Sequence, residues 1–155
     1  MIEVIRSEFQ GPGAIGDFGW MINQPEFSKT LFVFNDNEEE FYAHHSDGSH
    51  SCQPGGGNAI IRPFQCRPEP RAAGVPTGSY AQGVHYMGYS SLDHQVREAI
   101  EAAMVNIGRV LGSGRFTSLA FSWDPISRLG GRIFSTAQVV RDHIVDELER
   151  VASGF

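Results

Sequence analysis

Leu31-Phe-Val-Phe-Asn-Asp-Asn37, followed past a polar interval by Pro54-Gly-Gly-Gly-Asn-Ala-Ile-Ile-Arg62, decides the reading of this chain. Four consecutive apolar residues ending in carboxylate and amide side chains predict a strand covered on both faces, as in a parallel sheet. The triple glycine predicts a turn whose N–H groups an anion can approach closely. A short helical turn after Gly57 would add the positive end of its dipole, and Pro63 limits its length. Together these features point to a nucleotide-like ligand held at a strand end.

Outward from this core, residues 2–6 alternate in polarity and predict a first strand. Residues 11–20 carry four glycines and a proline and read as a loop whose Phe18 and Trp20 plug one side of the core. The interval from Glu38 to Gly55 is polar, acidic at its start and rich in His and Ser; it reads as a mobile excursion. Ala72 to Val75 predicts a short buried strand ending in Pro76-Thr77-Gly78. Thr117 to Trp123 predicts another, ending at Asp124-Pro125.

Two long helices are legible from 3.6-residue periodicity. The first buries Val96, Ala99, Ile100, Ala103, Met104, Ile107, Val110 and Leu111, with Ser90/Ser91 before it and Gly112 after it. The second starts at Ser135-Thr-Ala-Gln138, a capping-box pattern, and is expected to bury Val139, Val140, Ile144, Leu148 and Val151. Strands alternating with helices predict an α/β fold, a parallel or mixed sheet between helices. No repeat or linker divides residues 1–155, so one domain is expected. Ligands of such sheets bind outside the carboxyl ends of the strands, where Asp36/Asn37, Thr77 and Asp124 would converge.

Composition narrows the partners. The net charge is −6 with only 12 Lys+Arg, which leaves no basic footprint for duplex nucleic acid. Arg62, Arg67 and Arg71 are scattered in a way that suits one small anion. No run of about 18 apolar residues predicts a membrane span, and the N-terminus lacks the plan of a signal peptide. A cytoplasmic protein is expected.

Cys52 and Cys66 fall below the density of a disulfide scaffold and are expected as two free thiols in a reducing cytosol. His44, His45, His50, Cys52 and Cys66 admit a zinc reading, but their spacings fit no established finger. A solvated loop without metal or cofactor is the preferred reading. No G-x-S-x-G elbow supports a nucleophilic serine. His143 borders the apolar stripe of the last helix as a packing residue. His85 lies among Tyr80, Tyr86 and Tyr89, a segment that reads either as a lid stacking on a base or as a surface cluster and oligomer contact. Gly13 to Gly19 lacks the Lys and Ser/Thr of a P-loop.

The series Leu31-Phe-Val-Phe-Asn-Asp-Asn37, Gly55-Gly-Gly-Asn-Ala-Ile-Ile-Arg62, Ala73-Gly-Val-Pro-Thr77 and Leu129-Gly-Gly-Arg-Ile-Phe134 resembles small phage and bacterial proteins related to macrodomains. The resemblance runs in order over roughly residues 31–150, with Asn35 standing where the family usually has Gly. It implies a three-layer α/β/α fold that binds ADP-ribose or a related nucleotide-derived molecule, and in some members hydrolyses an ADP-ribosyl bond. Asp36 and Asn37 would then contact base or ribose. Gly55, Gly56, Gly57 and Asn58 would cradle phosphate with Arg62 trailing. Thr77 would mark the second strand end, and Gly130 and Gly131, with Arg132, a late phosphate loop. Asp36 or Asp124 would position a water if the ligand is hydrolysed.

Two other readings stand beside this one. Asp36 and Asn37 are equally readable as caps of the following turn, and the glycines as a tight loop ending. The alternative function is a phage-type accessory protein in the host cytosol, sequestering a nucleotide signal or binding a host protein.

Overall fold

The computed structural model describes residues 1–81, 85–131 and 133–155. Among them the strands are β1 (Glu3–Glu8), β2 (Thr30–Asn37), β3 (Ala72–Ser79), β4 (Met87–Gly88), β5 (Ser118–Asp124) and β6 (Arg128–Leu129). The helices are α1 (Phe18–Met21), α2 (Glu38–Asp47), α3 (His94–Leu111) and α4 (Gln138–Ser153), with 3-10 segments at Pro25–Phe27 and Gly57–Cys66.

The sheet runs β1-β5-β2-β3-β4, with β6 appended to β5. β1, β5, β2 and β3 are parallel, and the short β4 and β6 are antiparallel to their neighbours, so the sheet is mixed. The period of two along β2 explains the unbroken apolar run. Leu31 and Val33 enter a cluster with Ile100, Ile107, Ile144 and Leu148 from α3 and α4. Phe32 and Phe34 enter a second cluster with Phe18, Met21 and Ile61. The Phe18 and Phe32 rings meet edge to face with centroids 5.1 Å apart. Both faces of β2 are therefore buried, as the sequence predicts.

The polar interval after β2 departs from expectation, because its first ten residues form α2. The Asn37 side chain accepts from the Glu40 N–H at 2.8 Å, and Glu38, Glu39 and Glu40 sit in the first turn, where the dipole favours them. Gly48 ends the helix at φ +77°. The α3 cap is Asp93, accepting from Val96 N–H at 2.9 Å, rather than Ser90 or Ser91.

The capping box expected at Ser135 does not form, and α4 starts at Gln138 without a side-chain cap. The Ser135 hydroxyl instead accepts from Gly88 N–H at 2.7 Å, and Thr136 Oγ1 donates to the Thr77 carbonyl at 3.0 Å. Tertiary partners have taken the capping groups. Val140, Ile144 and Leu148 are buried as expected and Val145 joins them, whereas Val139 is exposed and Val151 only partly buried.

β2 pairs with β5 only from Thr30/Ser118 to Val33/Phe121, although β2 continues to Asn37 and β5 to Asp124. β2 stays with β3, and β6 pairs with the end of β5. The two central strands thus part at their carboxyl ends.

Candidate functional site

Three glycine-containing segments meet where β2 and β5 part. Asn58, at the start of the Gly57–Cys66 segment, donates its amide N–H groups to the Gly16 carbonyl and to Ser122 Oγ, both at 3.0 Å, and its Oδ1 accepts from Phe18 N–H at 3.0 Å. Gly130 N–H donates to the Ser122 carbonyl at 2.9 Å. Asn35 Nδ2 reaches across from β2 to the Gly130 carbonyl at 2.9 Å. Ser122, itself buried, is the common anchor.

Glycine is required at two of these positions. A Cβ on Gly16 would lie 2.4 Å from the Phe9 backbone, and one on Gly130 would lie 2.8 Å from the Trp123 backbone. Gly56 differs: its φ is −76° and a Cβ there would meet nothing within 4 Å. Neither conformation nor packing demands its bare backbone. Gly56, Gly57 and Gly131 are all exposed at this rim.

The charged residues predicted for the site bind each other. Arg62 Nη2 donates to Asp36 Oδ1 at 2.6 Å and Nε to Oδ2 at 3.4 Å, while Nη1 holds the Gln53 carbonyl at 3.2 Å. Asp36 Oδ1 also accepts from Asn37 N–H at 2.9 Å. The Asp36 side chain has no exposed surface and Arg62 almost none. Burial raises the Asp36 carboxyl above its usual pKa, outweighing the opposing pull of Arg62. Gly55 lies against this pair, with a Cβ there 2.9 Å from both terminal guanidinium nitrogens.

The remaining predicted residues are also engaged. Asn37 caps α2. Thr77 Oγ1 bonds Tyr86 Oη at 2.7 Å, and Tyr86 Oη lies 3.2 Å from Thr136 Oγ1, a partly buried chain of hydroxyls. Asp124 sits at the tip of the β5–β6 hairpin, where Oδ1 accepts from Ile126 and Ser127 N–H at 2.8 and 2.9 Å. Those N–H groups hold its carboxyl below the usual range. Arg132, and residues 82–84 of the aromatic segment, lie outside the described residues.

Arg141 also shapes the rim, although no motif marks it. Arg141 of α4 is buried and donates Nε to the Thr136 carbonyl at 3.0 Å, Nη1 to Leu129 at 2.9 Å and Nη2 to Ile133. It ties Leu129, Ile133 and Thr136 to α4. An arginine at a helical position between Val140 and Ile144 was the available signal.

Cys52 and Cys66 form a disulfide, which corrects the expectation of free thiols. The fold brings Cα atoms 14 residues apart in sequence to 5.9 Å. His44 Nδ1 lies 3.7 Å from Cys66 Sγ, and His44, Cys52 and Cys66 offer ligand atoms within 4.8 Å of one another. Bonded sulfurs have no thiolate to give a metal, so this trio could ligate only after reduction.

No protein-family model, curated protein or solved structure matches this chain. No helix among the described residues is long and apolar enough to cross a membrane.

Proposed function

We propose that the chain binds a nucleotide-derived small molecule of the ADP-ribose class at the carboxyl edge of its sheet, and holds it without turnover. The observation that carries this reading is the gathering of the Gly16, Gly56–Asn58 and Gly130–Gly131 segments around Ser122, where β2 and β5 separate. A crevice between diverging parallel strands is where open α/β sheets take ligands, and bare backbone there lets N–H groups meet phosphate oxygens. The coverage of both sheet faces, α3 and α4 on one and α1 with the Gly57–Cys66 segment on the other, supports the three-layer macrodomain-like arrangement.

The phosphates belong on the β5 side, against Gly56, Gly57 and Gly131. On the β3 side, Glu39 already accepts from Ser79 Oγ at 2.6 Å and Tyr80 N–H at 2.9 Å, and the neighbouring glutamates would repel an anion. Ribose hydroxyls suit that acidic side. Phe134, 85% exposed on the stretch that Arg141 ties to α4, offers a ring for the base. Asp36 and Arg62 act from beneath as a brace for the Gly55–Gly57 turn.

Binding without hydrolysis follows from the carboxylates. Asp36 is enclosed and paired, and Asp124 is a weakened base at a hairpin tip. Retention without turnover is also what a sequestering protein needs.

Calorimetric titration with ADP-ribose, its cyclic isomers, NAD and ATP tests the reading. One ADP-ribose compound should bind and emerge unchanged, and Gly56→Val should weaken it at least tenfold while leaving the melting midpoint in place. Absence of binding at millimolar ligand, or full binding by Gly56→Val, would sink it.

A further inference from the structure

The opposite end of the same strands holds a second, unassigned feature. β2, β3 and β5 are parallel neighbours, so the residues just before them emerge together: Ser28 before Thr30, Arg67 and Arg71 before Ala72, Arg115 and Phe116 before Ser118. These residues, with Glu69, line a cleft of about 590 Å³. That volume lies in the range of small-molecule sites, roughly 300–1,000 Å³.

The charge in this cleft is unbalanced. Arg67, Arg71 and Arg115 belong to a set of only 12 basic residues in a chain of net charge −6, yet three of them share one cavity. None forms an ion pair among the described residues, where the pairs are made by other side chains. Glu69 is the single carboxylate of the lining, which leaves an excess of two positive charges.

The guanidiniums are nevertheless held in place. Arg71 Nη2 donates to the Phe27 carbonyl at 2.7 Å and to Ile22 at 3.4 Å, and Nε donates to Thr30 at 3.3 Å. Arg115 Nη2 donates to the Pro70 carbonyl at 3.1 Å. Arg67 stacks on the Phe64 ring, 3.7 Å from its centroid. Carbonyl bonds orient a guanidinium without neutralising it. Burial, and then the charges of Arg67 and Arg115, pull the Arg71 pKa below its ordinary value. Such a cluster costs free energy in the empty protein and regains it when an anion enters.

We propose that this cleft binds the phosphate group of a small anion. Arg71 Nη1, Arg115 Nη1 and Nε, and the Arg67 fork have no protein acceptor among the described residues, so fixed donors remain for the oxygens of a dianion. The excess of two charges matches one phosphate. The site is distinct from the carboxyl edge proposed above, since it lies before the strands rather than after them.

Isothermal titration at constant ionic strength, made up with chloride, tests this with inorganic phosphate, pyrophosphate and ribose 5-phosphate. The first two report free phosphates and the third a phosphorylated metabolite. A saturable one-to-one isotherm is expected for at least one of them, weakened about tenfold or more by the double variant Arg67→Ala/Arg115→Ala. Arg71 is spared because its carbonyl bonds hold the Ile22–Thr30 loop. The ligand-free variant should keep a cooperative melt, since the relief of repulsion offsets the Arg115–Pro70 bond and the Arg67–Phe64 contact that it loses. Gly56→Val should leave phosphate binding unchanged. The proposal is overturned if chloride alone reproduces the heats, if the double variant binds as the parent does, or if Gly56→Val abolishes binding. It is equally overturned if a single-stranded oligonucleotide binds this cleft and none of the three phosphates does.

Discussion

At the scale of single residues, the Asp36–Arg62 pair decides how the site is built. A buried carboxylate and guanidinium stabilise a fold only while both are present, because either alone is a desolvated charge. Arg62→Ala should therefore cost about 3–5 kcal/mol at neutral pH, read from urea denaturation. The cost should shrink on acidification, when Asp36 can take a proton. In the parent chain the raised folded-state pKa of Asp36 makes stability fall as pH rises across this carboxyl's titration. Between 3.8 and that higher value the folded chain keeps a proton that the unfolded chain has lost. The contribution is complete below 3.8 and is lost as pH rises through the folded value. Asp36→Asn should flatten this stretch of the stability–pH curve; an unchanged slope would show that another carboxyl sets it. The sequence displayed both residues and their polar setting. It could not display that they would meet across 26 positions, because that depends on where the Gly57–Cys66 segment packs.

At the scale of elements, legibility followed burial. β2, β5 and α3 bury continuous or periodic apolar sets, and their signals survive in one dimension. α2 does not: it buries only Phe41, so its polar sequence read as loop although Asn37 and three glutamates form a good helix start. The start of α4 departs from its capping pattern for a different reason, since Ser135 and Thr136 are spent on Gly88 and Thr77. The Cys52–Cys66 bridge belongs to this scale too. It ties the chain after α2 to the end of the Gly57–Cys66 segment, where Gln65 Nε2 also holds the Ser51 carbonyl at 3.0 Å. Closing a loop of this length is worth about 3 kcal/mol. Reductant should lower the denaturation midpoint by a matching amount, and Cys52→Ser/Cys66→Ser should reproduce the drop and be insensitive to reductant. Equal midpoints with and without reductant would show that the bridge contributes nothing.

At the scale of the whole molecule, the parallel strands separate two chemistries. Their carboxyl ends gather bare glycine backbone beside acidic side chains, and their amino ends gather three arginines. An eight-residue strand spans roughly 26 Å, and screening at physiological salt acts over about 8 Å. Ligands at the two ends should therefore bind independently. Saturating one site should leave the dissociation constant at the other unchanged within about twofold in paired calorimetric titrations. A tenfold change either way would require the sheet between them to have two states. The end-to-end division was half visible in sequence: glycines announce themselves and Arg67 and Arg71 lie four residues apart, whereas Arg62 leaves that group to pair with Asp36 and Arg115 joins it only through the β5-β2-β3 order.

The bridge between Cys52 and Cys66 also encloses the exposed Gly56–Gly57 backbone within a covalent ring. A protease that cuts this rim leaves two polypeptides still tethered through sulfur. The nicked protein keeps its full mass on a non-reducing gel and falls into two bands once a thiol is added. An oxidised population can thus carry a broken rim undetected, and the same cut in a reducing compartment leaves the segment from residue 57 onward held to the rest by noncovalent contacts alone, the pairing of β3 and β5 with β2 and β1 among them.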